Sequence, residues 1–223
     1  MRYQFLHIGK TGGTLVRRVL RSLPEEHRAR FHILGHVSFP RAIEARPEMP
    51  VFFCVRRPET LFVSAFNSRL RAGQPTYNRP WTWRERVAFS NFKTPNELAE
   101  SLSAGKPELK ASAEQAMGQI NHVRQGLRWY LRNVEFLERH RNDIAFVMLQ
   151  EQLEQDLHAF ATWLDVPLEL AQVPPTERFH ESLPEDETVL SDAGLANIKR
   201  WYRPHREIYE WCVEFHDRML HKG

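Results

Sequence analysis

One apolar run, Val51-Phe52-Phe53-Cys54-Val55, constrains the fold more than any other feature of the sequence. It lies between Pro50 and Pro58, which mark its two ends. A strand with one face in water alternates polar and apolar residues, whereas a strand covered on both faces reads as an unbroken apolar run. The run therefore predicts a central strand of a parallel sheet, with Cys54 as a buried small side chain.

Three further segments read as strands, and helical patterns alternate with them. The strands are residues 3–8, 31–34 and 144–149, and the helices are residues 14–23, 59–71, 121–139, 154–164 and two more that begin near Ser191 and Pro204. This alternation predicts an α/β fold with a central parallel sheet flanked by helices. The 223 residues suit a single domain. Residues 73–110, rich in Pro, Asn, Trp and Arg, are predicted to form an irregular insert with one short helix at 96–102.

Composition and charge argue against a membrane-spanning protein, a cysteine-bound metal or a nucleic-acid-binding protein. Apolar residues make up 42% of the chain, yet no stretch approaches the roughly 18 apolar residues of a membrane span. No signal peptide pattern precedes the first strand, so a soluble cytoplasmic protein without a membrane partner is expected. The two cysteines, Cys54 and Cys212, are too far apart for a CxxC metal pair. The formal charge of +3 is too small to predict a nucleic-acid partner.

A glycine-rich segment, His7-Ile8-Gly9-Lys10-Thr11-Gly12-Gly13-Thr14, joins the first predicted strand to a helix. Glycines let backbone N–H groups curl around an anion, and a helix N-terminus adds donors and a partial positive charge. Lys10 adds a full charge, and the two threonines add hydroxyl donors. The segment is not a Walker A loop, because Lys10 precedes Gly12 and Gly13 and no glycine stands five residues before Gly9. It predicts a phosphate cradle made of Lys10, Thr11, Gly12, Gly13, Thr14 and Leu15.

A second pair of polar residues follows the central strand. Arg56 stands where that strand ends, and Ser64 lies about two helical turns further along. A planar guanidinium and a hydroxyl that converge near a helix start suit a terminal phosphate. The simpler interpretation of Arg56 is a surface charge at a strand end.

Both segments resemble motifs of the sulfotransferase superfamily, above all its carbohydrate branch with the heparan sulfate 2-O- and 6-O-sulfotransferases. The first is similar to the 5′-phosphosulfate loop PKTGGT, with Gly9 in place of proline. The second is similar to the 3′-phosphate motif R-D-P-x-x-R-x-x-S, from which Arg57 and Leu61 depart. The resemblance implies a P-loop-type sheet, the sulfate donor PAPS (3′-phosphoadenosine 5′-phosphosulfate), a catalytic Lys10 and no metal.

The resemblance also selects one of the eleven histidines. The stretch Gly35-His36-Val37-Ser38-Phe39 is similar to the G-H-V-S-Y/F stretch of the 2-O-sulfotransferases, which implies that His36 is the catalytic base. A further family histidine, two residues earlier, is Leu34 here. His7 is expected to pack or to form a local hydrogen bond. Six others lie in charged, helical or terminal contexts and are expected to be exposed: His122, His140, His158, His205, His216 and His221.

The sequence says less about the sulfate acceptor and about further residues that contact the donor. Related enzymes cover the nucleotide with a late loop, which makes Arg178 and Ser182 candidate donor ligands. The resemblance favours a sugar hydroxyl as acceptor, and an anionic glycan is one acceptor of this class. Cations and aromatic residues near the insert suit such a ligand but are also ordinary on an irregular surface: Arg69, Arg71, Arg79, Arg84, Arg86 and Lys93 among Tyr77, Trp81 and Trp83.

Three other functions stay open. A kinase needs Mg²⁺ and holds the terminal phosphates of ATP, and the missing Walker A pattern argues against it. A relative that binds a nucleotide or a partner protein without turnover is compatible with the departures at Gly9 and Arg57. An RNA-binding module needs a denser basic face than this composition provides.

Overall fold

The computed structural model of the protein describes residues 1–75, 77–166, 186 and 188–220. The chain forms two compact units. The first takes the described parts of Met1–Arg56, Leu127–Glu181 and Glu207–Gly223, and the second takes those of Arg57–Gly126 and Ser182–Arg206. No helix within the described residues is both long and apolar enough to cross a membrane.

Four strands form one parallel sheet in the first unit, in the order β2-β1-β3-β4. Their bounds are β1 Tyr3–Leu6, β2 Phe31–Ile33, β3 Val51–Val55 and β4 Ile144–Leu149. All five residues of β3 are buried, and β3 has a partner on each side, in register at Phe5–Phe52 and Phe53–Val147. The α/β class and the central position of the Val51–Val55 run are therefore confirmed.

Within the part of the chain that the structure describes, twelve α-helices cover the strands or form the second unit. In chain order they are α1 Gly13–Ser22, α2 Glu25–Arg28, α3 Phe39–Ala45, α4 Pro58–Leu70, α5 Trp83–Asn91, α6 Pro95–Ser101, α7 Pro107–Gln119, α8 Leu127–Leu131, α9 Val134–Arg139, α10 Leu153–Leu164, α11 Asp192–Trp201 and α12 Arg203–Leu220.

The sheet is covered on both faces because its side chains alternate. Phe5 and Phe52 point to the face where α1 and α10 pack, and the Phe52 ring lies 4.6 Å from that of Phe160 on α10. The next residue along β3, Phe53, points to the opposite face and contacts Phe39 of α3 at a centroid distance of 6.1 Å. Helices on both faces are what a buried parallel strand requires.

Gln4 is a fully buried polar residue of β1 that fixes the course of the chain between α3 and β3. Its side-chain Nε2 lies within 3.2 Å of the carbonyl oxygens of Ala42, Arg46 and Met49. The carbonyl groups of Ala42 and Arg46 already accept the backbone N–H groups of Arg46 and Met49. The Gln4 amide therefore adds a second hydrogen bond to each of them and links β1 to the chain between α3 and β3.

His216 of α12 is buried, with 2% of its surface exposed, so the expectation that it is exposed is wrong. Its Nε2 lies 2.9 Å from Oδ1 of Asp156 on α10, and Oδ2 of Asp156 accepts the N–H of Leu149 at 2.6 Å. Burial lowers the pKa of His216, but hydrogen bonds to Asp156 and Asp217 outweigh that effect and raise it overall. A charged pair thus joins α12 to α10 and to the end of β4.

The second unit is built around a buried ion pair, Arg69 with Glu85, and neither side chain is exposed. Nε and Nη2 of Arg69 donate to the two carboxylate oxygens at 2.7 and 2.9 Å. The carboxylate also accepts the N–H groups of Thr82 and Asn121. Burial acts to raise the pKa of Glu85, but the Arg69 hydrogen bonds outweigh it and lower the value to about 2.

Much of the region predicted as an irregular insert is helical. It holds α5, α6 and the first turn of α7 instead of a single short helix. Both α5 and α6 begin with a capping box, in which Thr82 pairs with Glu85 and Thr94 pairs with Glu97. The S/T-x-x-E pattern of a capping box is visible in the sequence and was the missed signal.

The single long helix predicted over 121–139 is also wrong. Residues 121–126 form turns, and α8 and α9 follow as two short helices. Arg132 between them has a φ of 72°, which no helix tolerates, and the side chain of Asn133 caps the N-terminus of α9. The helical spacing of apolar residues continues across the interruption at Arg132, so this spacing alone does not predict where one helix ends and the next begins.

Loss of Arg69 is expected to destabilise the second unit strongly. Arg69→Met leaves the Glu85 carboxylate buried without its cation, and we expect a loss of about 3–5 kcal/mol in the free energy of unfolding. Arg86→Met, an exposed position on α5, is the matched control and is expected to change that energy by less than about 0.5 kcal/mol. Urea denaturation at neutral pH measures the free energy of unfolding of both variants. Equal losses in Arg69→Met and Arg86→Met contradict the prediction.

The His216–Asp156 pair is expected to stabilise the protein more at low pH than at high pH. The raised pKa belongs to the folded state, so the stabilisation is complete below the ordinary value of 6.5 and is lost as pH rises through the higher folded value. His216→Leu is therefore expected to cost about 1–3 kcal/mol at about pH 6 and progressively less above it. Thermal or urea unfolding across pH, with exposed His158→Leu as control, measures this. A cost that grows with pH contradicts it.

Candidate functional site

The carboxyl ends of the four parallel strands meet at one edge of the sheet and bring the predicted residues of the first unit together. The Gly-rich loop follows β1, His36 follows β2 and Arg56 follows β3, and Glu151 follows β4. The chain leaves β1 toward β2 on one side, and β3 lies on the other side. Such a switch point between neighbouring strands is where α/β sheets bind ligands.

The loop after β1 has a backbone suited to an anion. Lys10 and Gly12 both adopt left-handed conformations, with φ values of 66° and 89°. Gly12 is the N-cap of α1, and no side chain caps this helix. Within the described residues, no backbone hydrogen bond is found from the N–H groups of Gly13 and Thr14, and the first N–H of α1 with an acceptor is that of Leu15, which donates to the Gly12 carbonyl at 3.0 Å. The start of α1 therefore presents backbone donors and the positive end of its dipole.

Two of the predicted loop ligands turn their side chains inward. Thr11 is fully buried and its hydroxyl donates to the carbonyl of Ile8 at 3.0 Å. Leu15 packs in the core of the first unit, and its N–H already donates to Gly12. The Thr11 hydroxyl and the Leu15 side chain are therefore not donors toward a ligand, because each stabilises the fold of the loop. Thr14 and Lys10 are partly exposed.

The Arg56 side chain contacts the Gly-rich loop at the carbonyl group of Lys10. Its Nη1 donates to the backbone carbonyl oxygen of Lys10 at 3.4 Å, so the Arg56 guanidinium contacts the backbone of the loop. Burial lowers the pKa of Arg56, and the nearby Glu151 carboxylate acts in the opposite direction. Burial also raises the pKa of Cys54 well above its ordinary value, so this thiol stays neutral between Thr11 and Arg56. Arg56 is thus a half-buried cation at the sheet edge and not a freely solvated one.

His36 is exposed and lies beside the loop. Its ring centroid is 4.8 Å from that of His7, and its Nδ1 is 3.1 Å from the hydroxyl of Tyr130. Apart from its two neighbours in the chain, no residue has an atom within 4 Å of a methyl group built on Gly35, so the space beside Gly35 is open. His7 is buried and packs against Phe5, in agreement with its predicted packing role.

The other predicted site residues lie elsewhere. Ser64 belongs to the second unit, where it is the one partly exposed residue between Leu61 and Arg69 on α4, and its pairing with Arg56 stays a prediction. Arg178 and Ser182 lie outside the described residues. Of the cations proposed for an acidic acceptor, Arg69 is excluded because it is buried against Glu85, and Arg71 pairs with Asp186.

Comparison of the sequence with models of protein families finds no match, and comparison with curated proteins finds none either. Within the described residues, no group of three or more His, Cys, Asp or Glu side chains is placed to hold a metal ion. What the geometry offers is a helix N-terminus, two cations and an imidazole at one edge of a sheet. Such a set can bind a phosphate or sulfate group and can accept a proton beside it.

The contact between Gly13 and His7 is expected to make the loop intolerant of a side chain. A methyl group on Gly13 would lie 2.2 Å from Cδ2 of His7, so Gly13→Ala is expected to cost about 1–3 kcal/mol of stability. Gly118→Ala is the matched control, because nothing lies within 4 Å of its added methyl group on α7. That change is expected to stabilise the protein by about 0.5 kcal/mol. Urea denaturation measures the free energy of unfolding of both variants. A value for Gly13→Ala equal to that of the wild type contradicts the close contact with His7.

Proposed function

We propose that this chain is a sulfotransferase that moves a sulfuryl group from PAPS to an acceptor hydroxyl. The observation that carries the proposal is the Gly-rich loop at the start of α1 with Arg56 directly behind it at the same sheet edge. A Walker A loop places its lysine directly after its last glycine, whereas here Lys10 precedes Gly12 and Gly13. The resemblance to the two sulfate-donor motifs supports the same conclusion.

The donor has two anionic ends, and the site offers separate groups for them. In this proposal the backbone N–H groups of Gly13 and Thr14 bind the 5′-phosphosulfate, with the charge of Lys10 beside it. Arg56 binds the 3′-phosphate, and the resemblance adds Ser64 as a second ligand of that phosphate. A guanidinium presents paired donors that match the geometry of a phosphate. The two ends together position the sulfuryl group for attack.

The proposed reaction is a direct in-line transfer. The acceptor oxygen bonds to sulfur while the bond between sulfur and the bridging oxygen of PAPS breaks. His36 takes the proton of the acceptor hydroxyl, and adenosine 3′,5′-bisphosphate leaves. Lys10 stabilises the negative charge that builds on the bridging oxygen, an electrostatic contribution that is often the largest in catalysis. A positioned base contributes about 100- to 10,000-fold.

A carbohydrate hydroxyl, in an acidic glycan, is the proposed acceptor class. The open space beside Gly35, the residue before His36, is where such a hydroxyl approaches the base. Exposed cations and aromatic side chains of the second unit remain candidates for glycan contacts, including Arg84, which stacks on the Trp83 ring at 5.3 Å. Screening sulfated and unsulfated polysaccharides with labelled PAPS identifies the acceptor.

Removal of the Arg56 guanidinium is expected to abolish recognition of the 3′-phosphate. Calorimetry with adenosine 3′,5′-bisphosphate, 5′-AMP and ATP–Mg²⁺ measures the preference for that phosphate. We expect Arg56→Ala to weaken bisphosphate binding by roughly 30-fold or more and to leave 5′-AMP binding nearly unchanged. Arg141→Ala is the control, because Arg141 precedes β4 and so lies at the opposite edge of the sheet.

Each alternative function predicts a different binding result. Tighter binding of ATP–Mg²⁺ than of the bisphosphate indicates a kinase and overturns the proposal. Absence of binding for all three nucleotides overturns it too. Bisphosphate binding that depends on Arg56, without transfer to any acceptor, indicates a relative that has kept the donor site and lost turnover.

A further inference from the structure

Tyr130 connects His36 to the Gly-rich loop, although nothing in the sequence pattern marks it. It lies on α8, 94 positions from His36 along the chain, and only 1% of its surface is exposed. Its hydroxyl oxygen is 3.1 Å from Nδ1 of His36. The backbone N–H of Gly9, at the start of the loop, donates a hydrogen bond to the same hydroxyl oxygen.

The state of the Tyr130 hydroxyl is set by its surroundings. Burial raises the pKa of Tyr130 to about 12, although the Gly9 hydrogen bond acts in the opposite direction. The hydroxyl is therefore neutral in the physiological range. A neutral hydroxyl oxygen has two acceptor lone pairs, so it can accept the Gly9 N–H and one further donor. The Nδ1 atom of His36, 3.1 Å from that oxygen, is within hydrogen-bond distance as the second donor.

A second chain of contacts reaches His36 from the other end of the loop. The His7 ring lies 4.8 Å from the His36 ring, and the same His7 ring packs directly against Gly13. His36 is thus held between two side chains, Tyr130 and His7, and each of them contacts a glycine of the loop. A displacement of the loop therefore displaces the groups that orient His36.

We infer that Tyr130 is a positioning residue whose hydroxyl oxygen accepts the Nδ1–H of His36 and so leaves Nε2 as the proton-accepting atom. The inference rests on the proposed function, because only a transferase needs His36 as a base. Neutral imidazole carries one proton, and only the tautomer with that proton on Nδ1 has an unprotonated Nε2 that can accept another proton. Once Nε2 has taken the acceptor's proton, the same hydrogen bond stabilises the imidazolium.

Nitrogen NMR of the full-length protein tests this assignment without any need for turnover. With ¹⁵N-labelled histidine, at a pH where His36 is neutral, we expect the wild-type His36 signals to report a proton on Nδ1. Tyr130→Phe is expected to shift His36 toward the tautomer protonated on Nε2. Tyr202→Phe is the matched control, because it removes another buried hydroxyl, which donates to the Val123 carbonyl at 2.7 Å. His36→Gln assigns the signals, and near-UV circular dichroism checks the fold of each variant.

Kinetics with PAPS and an accepted glycan give the second readout. Tyr130→Phe is expected to lower kcat by about 10- to 100-fold while the KM for PAPS stays within about twofold, because the donor contacts are kept. His36→Ala is expected to lose about 100- to 10,000-fold. A loss of stability alone lowers the amount of active enzyme equally for Tyr130→Phe and Tyr202→Phe.

The outcomes separate this inference from the proposed function. A wild-type His36 protonated on Nε2, or a tautomer that is unchanged in Tyr130→Phe, overturns the positioning role even when the bisphosphate binds. A tautomer shift confined to Tyr130→Phe supports the positioning role. If that shift occurs in a protein that does not bind adenosine 3′,5′-bisphosphate, the hydrogen bond is established and the sulfotransferase proposal is overturned.

Discussion

The parallel pairing of β1 with β3 is the constraint on which the rest of the candidate site depends. Because both strands run in the same direction, the Gly-rich loop and Arg56 leave the sheet at the same edge, where Arg56 donates to the Lys10 carbonyl. An antiparallel pairing puts the ends of the two strands at opposite edges. The register cannot slip either, because every side chain of β3 is buried and a shift by one residue exchanges the two faces of the strand.

At this edge the recognition chemistry is divided between backbone and side chains. The loop offers N–H groups at the start of α1, while the Thr11 hydroxyl and the Leu15 side chain are used inside the protein. Lys10 and Arg56 add full positive charges, and the Arg56 guanidinium contacts the Lys10 backbone in a partly buried place where charge interactions are stronger than in water. In the proposed donor site the backbone thus provides the shape, and the two cations provide the affinity.

Predictions from the sequence succeeded where the signal lies in neighbouring residues. They failed where a residue's environment depends on partners far away along the chain. The apolar run at 51–55 and the strand, Gly-rich loop and helix around Gly12 are contiguous patterns, and both are found as predicted. The burial of His216 depends on Asp156, 60 positions away, and no pattern around His216 announces it. Tyr130 could not be predicted for the same reason, because its partner His36 is 94 positions away. The capping boxes of α5 and α6 are different, because their signal was present in the sequence.

The first unit is discontinuous along the chain, and this affects the order in which it can form during synthesis. As the ribosome releases the chain from its N-terminus, β1, β2 and β3 emerge first, but the partner of β3 on its other side, β4, follows only after residues 57–126. Until then β3 presents an unpaired, wholly apolar edge, the kind of edge that pairs with other chains. The nascent protein therefore passes through a stage in which a strand that is fully buried in the folded protein is open to pairing with other chains.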